Sequence, residues 1–179
     1  MARNIEIKAR IDSVEALLPR ARQLADGDPE AIVQDDQFFP VPHGRLKLRR
    51  FADGSAELIH YHRANGPEAR ASDYVRVPVP DADALAQALG RANGLLGRVR
   101  KQRWLLLVGQ TRVHLDRVEG LGDFMELEVV LREGQSDAEG QVIAETLMRA
   151  LGLADAVRLS GSYLDALRDL PTASAQQAR

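Results

Sequence analysis

The segment RLKLRR, at residues 45–50, places three cationic side chains at every second position: Arg45, Lys47 and Arg49. Alternate residues of a β-strand point to the same face, so these cations would line one face while Leu46 and Leu48 occupy the other. Residues two apart on a strand are separated by roughly 6.6 Å, which gives the row a length of about 13 Å. An extended polyphosphate has that length, and the segment therefore predicts a site for a phosphate-rich anion.

Further strand-like segments repeat this alternation, and the first of them, NIEIKAR, alternates apolar residues with Glu6, Lys8 and Arg10. The later cations are Arg63, Arg76, Lys101, Arg103 and Arg112, and the later carboxylates are Asp116, Glu126 and Glu128. For any single strand, such a face is more often the solvent-exposed side of an antiparallel sheet. If the sheet closed into a barrel, however, like charges would face one another inside it, which is unfavourable without a bound anion. The set therefore predicts an interior ligand.

The composition restricts the class of protein and its partners. A chain of 179 residues with 45% hydrophobic and 28% charged content can form one sizeable core. We expect a single domain over residues 1–170 and a disordered tail over the small, polar residues 171–179. The formal net charge of -2 predicts no general attraction to nucleic acids or membranes, so any anion site must be local. The absence of cysteine excludes disulfides and zinc thiolates, and a strand pattern next to Met1 leaves no room for a leader, so we expect a cytoplasmic protein.

The spacing of apolar residues and turn signals predicts antiparallel β-structure with added helices, an α+β fold. Strands are predicted at about 3–10, 33–39, 44–51, 55–63, 73–79, 97–108, 110–116 and 122–132. Helices are predicted after Asp12, and at about 81–90, 137–151 and 161–169. At the first helix we expect Asp12 to act as the N-cap and Glu15 to reach back to it.

The charged motifs, taken in order, resemble the CYTH superfamily, named for class IV adenylate cyclase and thiamine triphosphatase and also called triphosphate tunnel metalloenzymes. The Glu-x-Glu-x-Lys signature of the family corresponds to Asn4-Ile-Glu6-Ile-Lys8, in which the first Glu is replaced. The basic strand of the family corresponds to RLKLR at 45–49, its Lys-x-Arg to Lys101-Gln-Arg103, and its closing Glu-x-Glu to Glu126-Leu-Glu128. The similarity covers most of the chain.

The resemblance implies an eight-stranded antiparallel tunnel, surrounded by helices, that binds a triphosphate and a divalent metal. Arginine suits a phosphate clamp because its planar guanidinium bonds two oxygens and keeps its charge, whereas lysine acts as a point charge. The expected triphosphate ligands are Lys8, Arg10, Arg45, Lys47, Arg49, Arg63, Arg76, Lys101, Arg103 and Arg112, of which Lys8 and Arg63 are also expected to serve catalysis. The expected metal ligands are Glu6, Asp116, Glu126 and Glu128, hard oxygen donors that favour Mg²⁺ or Mn²⁺ over zinc.

Three functions are compatible with this site. The run GRLKLRRF followed by AELIHYHR is more similar to the class IV adenylate cyclase branch. The thiamine triphosphatase branch resembles a design with a tyrosine on the strand before the basic row, whereas this chain has Phe38-Phe39 there, and phenylalanine cannot donate a proton. The first hypothesis is therefore conversion of ATP to cyclic AMP and pyrophosphate. The second is hydrolysis of thiamine triphosphate, a nucleoside triphosphate or inorganic tripolyphosphate, and the third, because of Asn4, is nucleotide or polyphosphate binding without turnover. The sequence leaves open the physiological triphosphate and whether two copies form a homodimer.

The remaining motifs of the chain do not support another enzyme class. The sequence has no Walker loop, no dinucleotide-binding glycine fingerprint and no Gly-x-Ser-x-Gly elbow. Its four histidines lack the helical spacing of a zinc site, and we interpret them as surface or packing residues. His114 differs from the others because it shares a predicted strand face with Arg112 and Asp116.

Overall fold

The computed structural model of the chain describes residues 2–63 and 70–170, with the side chains of 3–62 and 74–170. Within these residues the strands are β1 (Ala2–Arg10), β2 (Glu30–Phe39), β3 (Arg45–Phe51), β4 (Ala56–Arg63), β5 (Arg70–Pro78), β6 (Gly97–Val108), β7 (Thr111–Val118) and β8 (Gly122–Val130). The helices are α1 (Val14–Leu24), α2 (Ala82–Asn93), α3 (Asp137–Ala150) and α4 (Tyr163–Arg168). The predicted tail at 171–179 lies outside the described residues.

The strands form a closed antiparallel barrel in the order β1-β5-β4-β3-β2-β6-β7-β8. Closure depends on β1, which pairs with β5 along one side and with β8 along the other. A closed ring of strands has no exposed edge, so the backbone hydrogen bonds of each strand are taken up by its two neighbours. The predicted α+β fold, an eight-stranded antiparallel barrel with surrounding helices, is confirmed.

The main apolar core lies outside the barrel, between its wall and the helices. Ile5 and Ile7 of β1, Leu115 of β7 and Leu127 of β8 are almost fully buried and pack with Met148 of α3. Burying an aliphatic side chain of this size stabilises the fold by about 1.5–3 kcal/mol. Because strand residues alternate between faces, burial of these apolar residues beneath α1 and α3 directs the intervening polar residues into the barrel.

Two smaller clusters hold the other helices. The helix α2 covers Phe39 and Leu48, whereas α4 packs Tyr163 and Leu164 against Phe124 of β8. The start of α4 is fixed by a capping box in which Ser162 and Asp165 bond each other's backbone N–H groups. Arg45 of β3 donates hydrogen bonds to both of these side chains. The helix α4 is therefore tied to the barrel, and Tyr163 is positioned against its interior.

The structure corrects the predicted start of α1. The N-cap is Ser13, whose side chain accepts a hydrogen bond from the backbone N of Ala16 at 3.1 Å, so the prediction of Asp12 was wrong by one residue. Glu15 does not reach back to the cap, because its carboxylate accepts hydrogen bonds from Arg117 of β7. Serine and aspartate are comparable N-caps, so preference alone could not choose between them.

Candidate functional site

The interior of the barrel is a cavity of about 380 Å³ lined largely by charged side chains. The predicted site residues that line it are Glu6, Lys8, Lys47, Arg49, Arg76, Lys101, Arg103, Arg112, Glu126 and Glu128. The sequence analysis did not select Asp36, which lines the cavity as a further carboxylate. Among the described lining residues, seven lysine and arginine side chains face four carboxylates, a formal excess of three positive charges. The cavity therefore has the charge of a site for a polyanion.

Three predicted site residues have a different placement, and a fourth cannot be placed. Arg10 is exposed at the end of β1, where it donates a hydrogen bond to a backbone carbonyl at 3.1 Å. Arg45 is half-buried and holds the start of α4, as described above. Asp116 is fully buried and is not among the cavity-lining residues. The side chain of Arg63 lies outside the described residues. The roles predicted for these four side chains stay predictions.

One wall of the cavity is organised around Asp36 of β2. Its buried carboxylate accepts hydrogen bonds from Lys47 Nζ at 3.0 Å and from Arg49 Nε and Nη2, both at 2.7 Å. Burial alone would raise the pKa of Asp36, but Arg49 and Lys47 hold it far below its usual value. Burial, together with the neighbouring Arg49, lowers the pKa of Lys47 to about 8. Asp36 thus fixes two of the predicted phosphate ligands before any anion binds.

A second cluster, two strands along the barrel from β2, is organised around Asp116 of β7. Arg103 of β6 donates to both carboxylate oxygens at 2.6 Å, and its Nη2 also donates to Glu126 Oε2 at 2.7 Å. The hydroxyl of Tyr163 donates a hydrogen bond to Asp116 at 2.9 Å. Burial beside this carboxylate raises the pKa of Tyr163 well above its usual value, so the hydroxyl keeps its proton. Both oxygens of Asp116 therefore already accept protein donors, which favours a role in positioning Arg103.

Two lysines lie beside this second cluster. Lys8 Nζ is 3.1 Å from Glu126 Oε1 and 4.2 Å from the centre of the Tyr163 ring. Lys101 Nζ is 3.7 Å from Asp116 Oδ2, a distance too long for a hydrogen bond. Burial and the neighbouring Arg103 lower the pKa of Lys101 to about 7. Lys101 therefore changes its charge near neutral pH in the absence of an anion.

The third feature of the site is a group of side chains on β7 and β8 that could together hold a metal ion. His114, Glu126 and Glu128 each offer one ligand atom, and these atoms all lie within 4.8 Å of one another. The Nδ1 atom of His114 is 3.7 Å from Glu126 Oε2 and 3.8 Å from Glu128 Oε1. This buried nitrogen has no hydrogen-bond partner among the described residues. Glu6 of β1 faces the same cavity and is the cross-strand partner of Glu128. The residues present fit a divalent metal, and the group includes His114, the histidine that the sequence analysis set apart for its shared face with Arg112 and Asp116.

Sequence reasoning missed Asp36, His114 and Tyr163. Asp36 and Gln34 alternate with outward-facing residues of β2, so the signal was present in the period of the segment VQDDQFF. The signal for His114 was its shared face with Arg112. The pattern could not show that His114 is paired with Glu126 on the neighbouring strand. Tyr163 reaches the cavity only because α4 packs on the barrel, and no local pattern carries that information.

A closed antiparallel barrel with a cation-rich interior and a metal-binding group on one wall defines a tunnel-type binding protein for polyanions. The described helices are all too short or too polar to cross a membrane. The chain matches the CYTH domain over residues 2–163, and it belongs to this family. The resemblance drawn from the motifs is thereby confirmed.

Individual relatives agree with this assignment. The chain is 27% identical over 172 residues to adenylate cyclase CyaB of Aeromonas hydrophila, covering 89% of this chain and 85% of the relative. The PH1012 protein of Pyrococcus horikoshii OT3 superposes with a TM-score of 0.81 at 23% identity, covering 90% of this chain and 98% of the other. HpAC1 of Hippeastrum superposes with a TM-score of 0.67 at 16% identity, covering 94% and 95% of the two chains. The two structural matches show a shared fold.

Proposed function

We propose that the protein is a metal-dependent adenylate cyclase that binds the triphosphate of ATP inside the barrel and releases cyclic AMP and pyrophosphate. The observation that carries the proposal is the convergence of seven cations and four carboxylates on one cavity inside the barrel. The cyclase is preferred because the relative with 27% identity over most of both chains is an adenylate cyclase. The predicted branch of the family points to the same reaction.

The triphosphate clamp consists of cations that are already oriented. Arg49 donates two hydrogen bonds to the carboxylate of Asp36, and Arg103 donates two to the carboxylate of Asp116. Side chains held in this way lose little freedom when a phosphate binds, which is the basis of electrostatic preorganisation. In Arg49 the bonds to Asp36 use Nε and Nη2, so the Nη1 edge stays available to an anion.

Lys101 supplies a proton-dependent part of the clamp. Its pKa of about 7 applies to the cavity without an anion, where burial and Arg103 disfavour the charged form. A bound triphosphate reverses this balance, because a nearby negative charge raises the pKa of a lysine. Lys101 Nζ therefore takes up a proton when the triphosphate binds, and it then acts as a cation in the complex.

The metal would be held by His114, Glu126 and Glu128, with Glu6 next to Glu128 across the sheet. There it would neutralise charge on the reacting phosphoryl group and lower the pKa of the attacking hydroxyl. Lys8 Nζ, at 3.1 Å from Glu126 Oε1, orients this carboxylate and lies between the metal-binding group and the clamp. This position supports the catalytic role proposed for Lys8.

A triphosphatase is the second candidate, because HpAC1 of Hippeastrum, which shares the fold, is described as having a dominant triphosphatase activity. The same clamp serves both reactions. In a cyclase the ribose 3′-hydroxyl attacks the α-phosphorus, whereas in a triphosphatase water attacks the terminal phosphorus. The position of the triphosphate along the cavity decides between them.

Product analysis tests the proposal. The protein is incubated with Mg²⁺ or Mn²⁺ and either ATP, thiamine triphosphate or tripolyphosphate, and the products are separated by chromatography. The proposal expects cyclic AMP and pyrophosphate from ATP, with activity reduced in Lys101→Ala and retained in Arg100→Ala. Arg100 is the matched control because it is adjacent in β6 and half-exposed on the outer face of the barrel. Release of orthophosphate alone would establish the triphosphatase instead, and intact substrates under all conditions would contradict both reactions.

A further inference from the structure

The strongest unexplained feature of the cavity is the unpartnered nitrogen of His114. This side chain is only 5% exposed, and its Nδ1 atom has no hydrogen-bond partner among the described residues. The two nearest carboxylate oxygens, at 3.7 and 3.8 Å, are beyond hydrogen-bonding distance. Leaving a buried polar atom without a partner lowers the stability of a protein. A group that compensates for this loss is therefore expected at Nδ1.

The surroundings of Nδ1 indicate which group this is. Glu126 and Glu128 offer carboxylate oxygens and His114 offers a ring nitrogen, and one such atom from each of the three side chains lies within 4.8 Å of the others. Glu126 pairs with Lys8 through Oε1 and with Arg103 through Oε2, the oxygen that also faces Nδ1. Glu128 pairs with Arg112 through Oε2 and turns its other oxygen, Oε1, towards Nδ1. The shared space in front of Nδ1 is left for a small cation.

A second unpartnered acceptor faces the same cavity. Asn4 of β1 is 3% exposed, and its Oδ1 atom has no hydrogen-bond partner among the described residues. Asn4 and Glu6 are alternate residues of the strand that pairs with β8, so both point into the barrel on the side of Glu128. The metal-binding wall therefore offers a neutral amide oxygen and an imidazole nitrogen in addition to its carboxylates.

We infer that the protein has a mixed nitrogen and oxygen metal site, formed by His114 Nδ1 with Glu126 and Glu128, that selects Mn²⁺ and other first-row transition metals over Mg²⁺. An imidazole nitrogen binds transition metals well, whereas Mg²⁺ prefers hard oxygen ligands only. The neutral amide of Asn4 adds no charge, which further weakens the hold on Mg²⁺. This inference deepens the proposed function and rests on it for the metal's role in the reaction.

The test measures metal binding without a triphosphate. Mn²⁺ is titrated into the wild-type protein, and the signal of unbound Mn²⁺ is followed by electron paramagnetic resonance. The affinity for Mg²⁺ is obtained by competition with Mn²⁺. We expect Mn²⁺ to bind at least about tenfold more tightly than Mg²⁺. The spectrum of the bound Mn²⁺ should also contain a nitrogen hyperfine coupling, which reports a directly bonded imidazole. This readout uses the unaltered protein and does not depend on the folding of any variant.

Variants then test whether His114 supplies the nitrogen that is bonded to the metal. The coupling should disappear in His114→Ala and in His114→Asp, and the preference for Mn²⁺ over Mg²⁺ should fall by about tenfold in His114→Asp, where all the ligands are oxygens. His62→Ala is the matched control, because His62 is exposed on β4, and it should retain both the coupling and the preference. Circular dichroism verifies that each variant is folded.

The outcomes separate this inference from the proposed function. Bound Mn²⁺ without nitrogen coupling, an unchanged metal preference in His114→Asp, or no Mn²⁺ binding at all would overturn the mixed site. None of these results would remove the cationic clamp, so formation of cyclic AMP from ATP would still support the proposed function. Nitrogen coupling in a protein that produces no cyclic AMP and no orthophosphate would confirm the metal site and contradict the catalytic proposal.

Discussion

Neutralising Asp36 should destabilise the protein more than any comparable change on the outer surface of the barrel. The carboxylate of Asp36 is 2% exposed and accepts one hydrogen bond from Lys47 and two from Arg49. In Asp36→Asn the negative charge is lost, and an amide NH₂ group is placed against these donors. Two buried cations then face each other without compensation.

The size of the effect follows from the burial of the cluster. Breaking a buried ion pair by removing one partner destabilises a protein by about 3–5 kcal/mol. For a chain of 179 residues, this corresponds to a decrease in Tm of about 6–20 °C. The adjacent Asp35 provides a matched control, since it points outward and pairs with the half-exposed Arg98. A surface pair contributes at most about 1 kcal/mol, so Asp35→Asn should lower the Tm by only a few degrees.

Thermal unfolding followed by circular dichroism measures both variants, without ligand and with saturating tripolyphosphate in the presence of a chelator. A bound polyanion supplies the negative charge that Asp36→Asn has lost, so tripolyphosphate should raise the Tm of this variant more than that of the wild type. Equal Tm values for Asp36→Asn and Asp35→Asn, or a smaller ligand-induced increase in Asp36→Asn, would refute the conclusion that Asp36 balances the clamp.

Three further predictions concern charge and metal. Since burial lowers the pKa of Lys101 to about 7 and that of Lys47 to about 8, the folded protein binds fewer protons than the unfolded chain from about pH 7 to 10. Its free energy of unfolding, measured with urea, should therefore rise with pH in this window, while its affinity for tripolyphosphate, measured by calorimetry, should fall; the opposite slopes would be inconsistent with neutral lysines in the cavity. Changing both Glu126 and Glu128 to Ala should abolish turnover in the product assay yet retain metal-free tripolyphosphate binding, whereas an unfolded double variant would indicate a structural role. Asn4→Glu should lower the Mn²⁺ concentration needed for half-maximal activity, and coincident titration curves for the two proteins would show that Asn4 does not act on the metal.

The charged faces of the strands were predictable because a β-strand has a strict two-residue period. RLKLRR alone shows that Lys47 and Arg49 share a face, and burial of Leu48 on the other face makes that assignment unambiguous. The two-residue period does not show, however, how far along the barrel axis a given side chain lies. Arg10 and Arg45 have the predicted parity but lie at strand ends, where they contact a backbone carbonyl and the start of α4 instead of the cavity.

The internal ion pairs were not predictable from local sequence, since they join residues that only the closed barrel brings together. Asp116 and Glu126 both accept hydrogen bonds from Arg103 because β6, β7 and β8 are neighbours with a defined register. The same register places His114 opposite Glu126, which adds a candidate nitrogen ligand to the expected all-carboxylate metal site. Helical spacing rules for histidine ligands do not apply to side chains that converge from two strands.

The central claim is that the barrel interior binds a triphosphate through its cations. Isothermal titration calorimetry of tripolyphosphate at neutral pH, with a chelator present, tests this claim for the wild type, Lys47→Ala and Arg100→Ala. Asp36 keeps its two hydrogen bonds from Arg49 when Lys47 is removed, so the Lys47→Ala variant should stay folded. The loss of one clamp cation should weaken binding by on the order of 2 kcal/mol, about thirtyfold in Kd. We predict tight binding to the wild type and to Arg100→Ala and about thirtyfold weaker binding to Lys47→Ala. Absence of binding to the wild type, or equal affinity in all three proteins, would contradict the account.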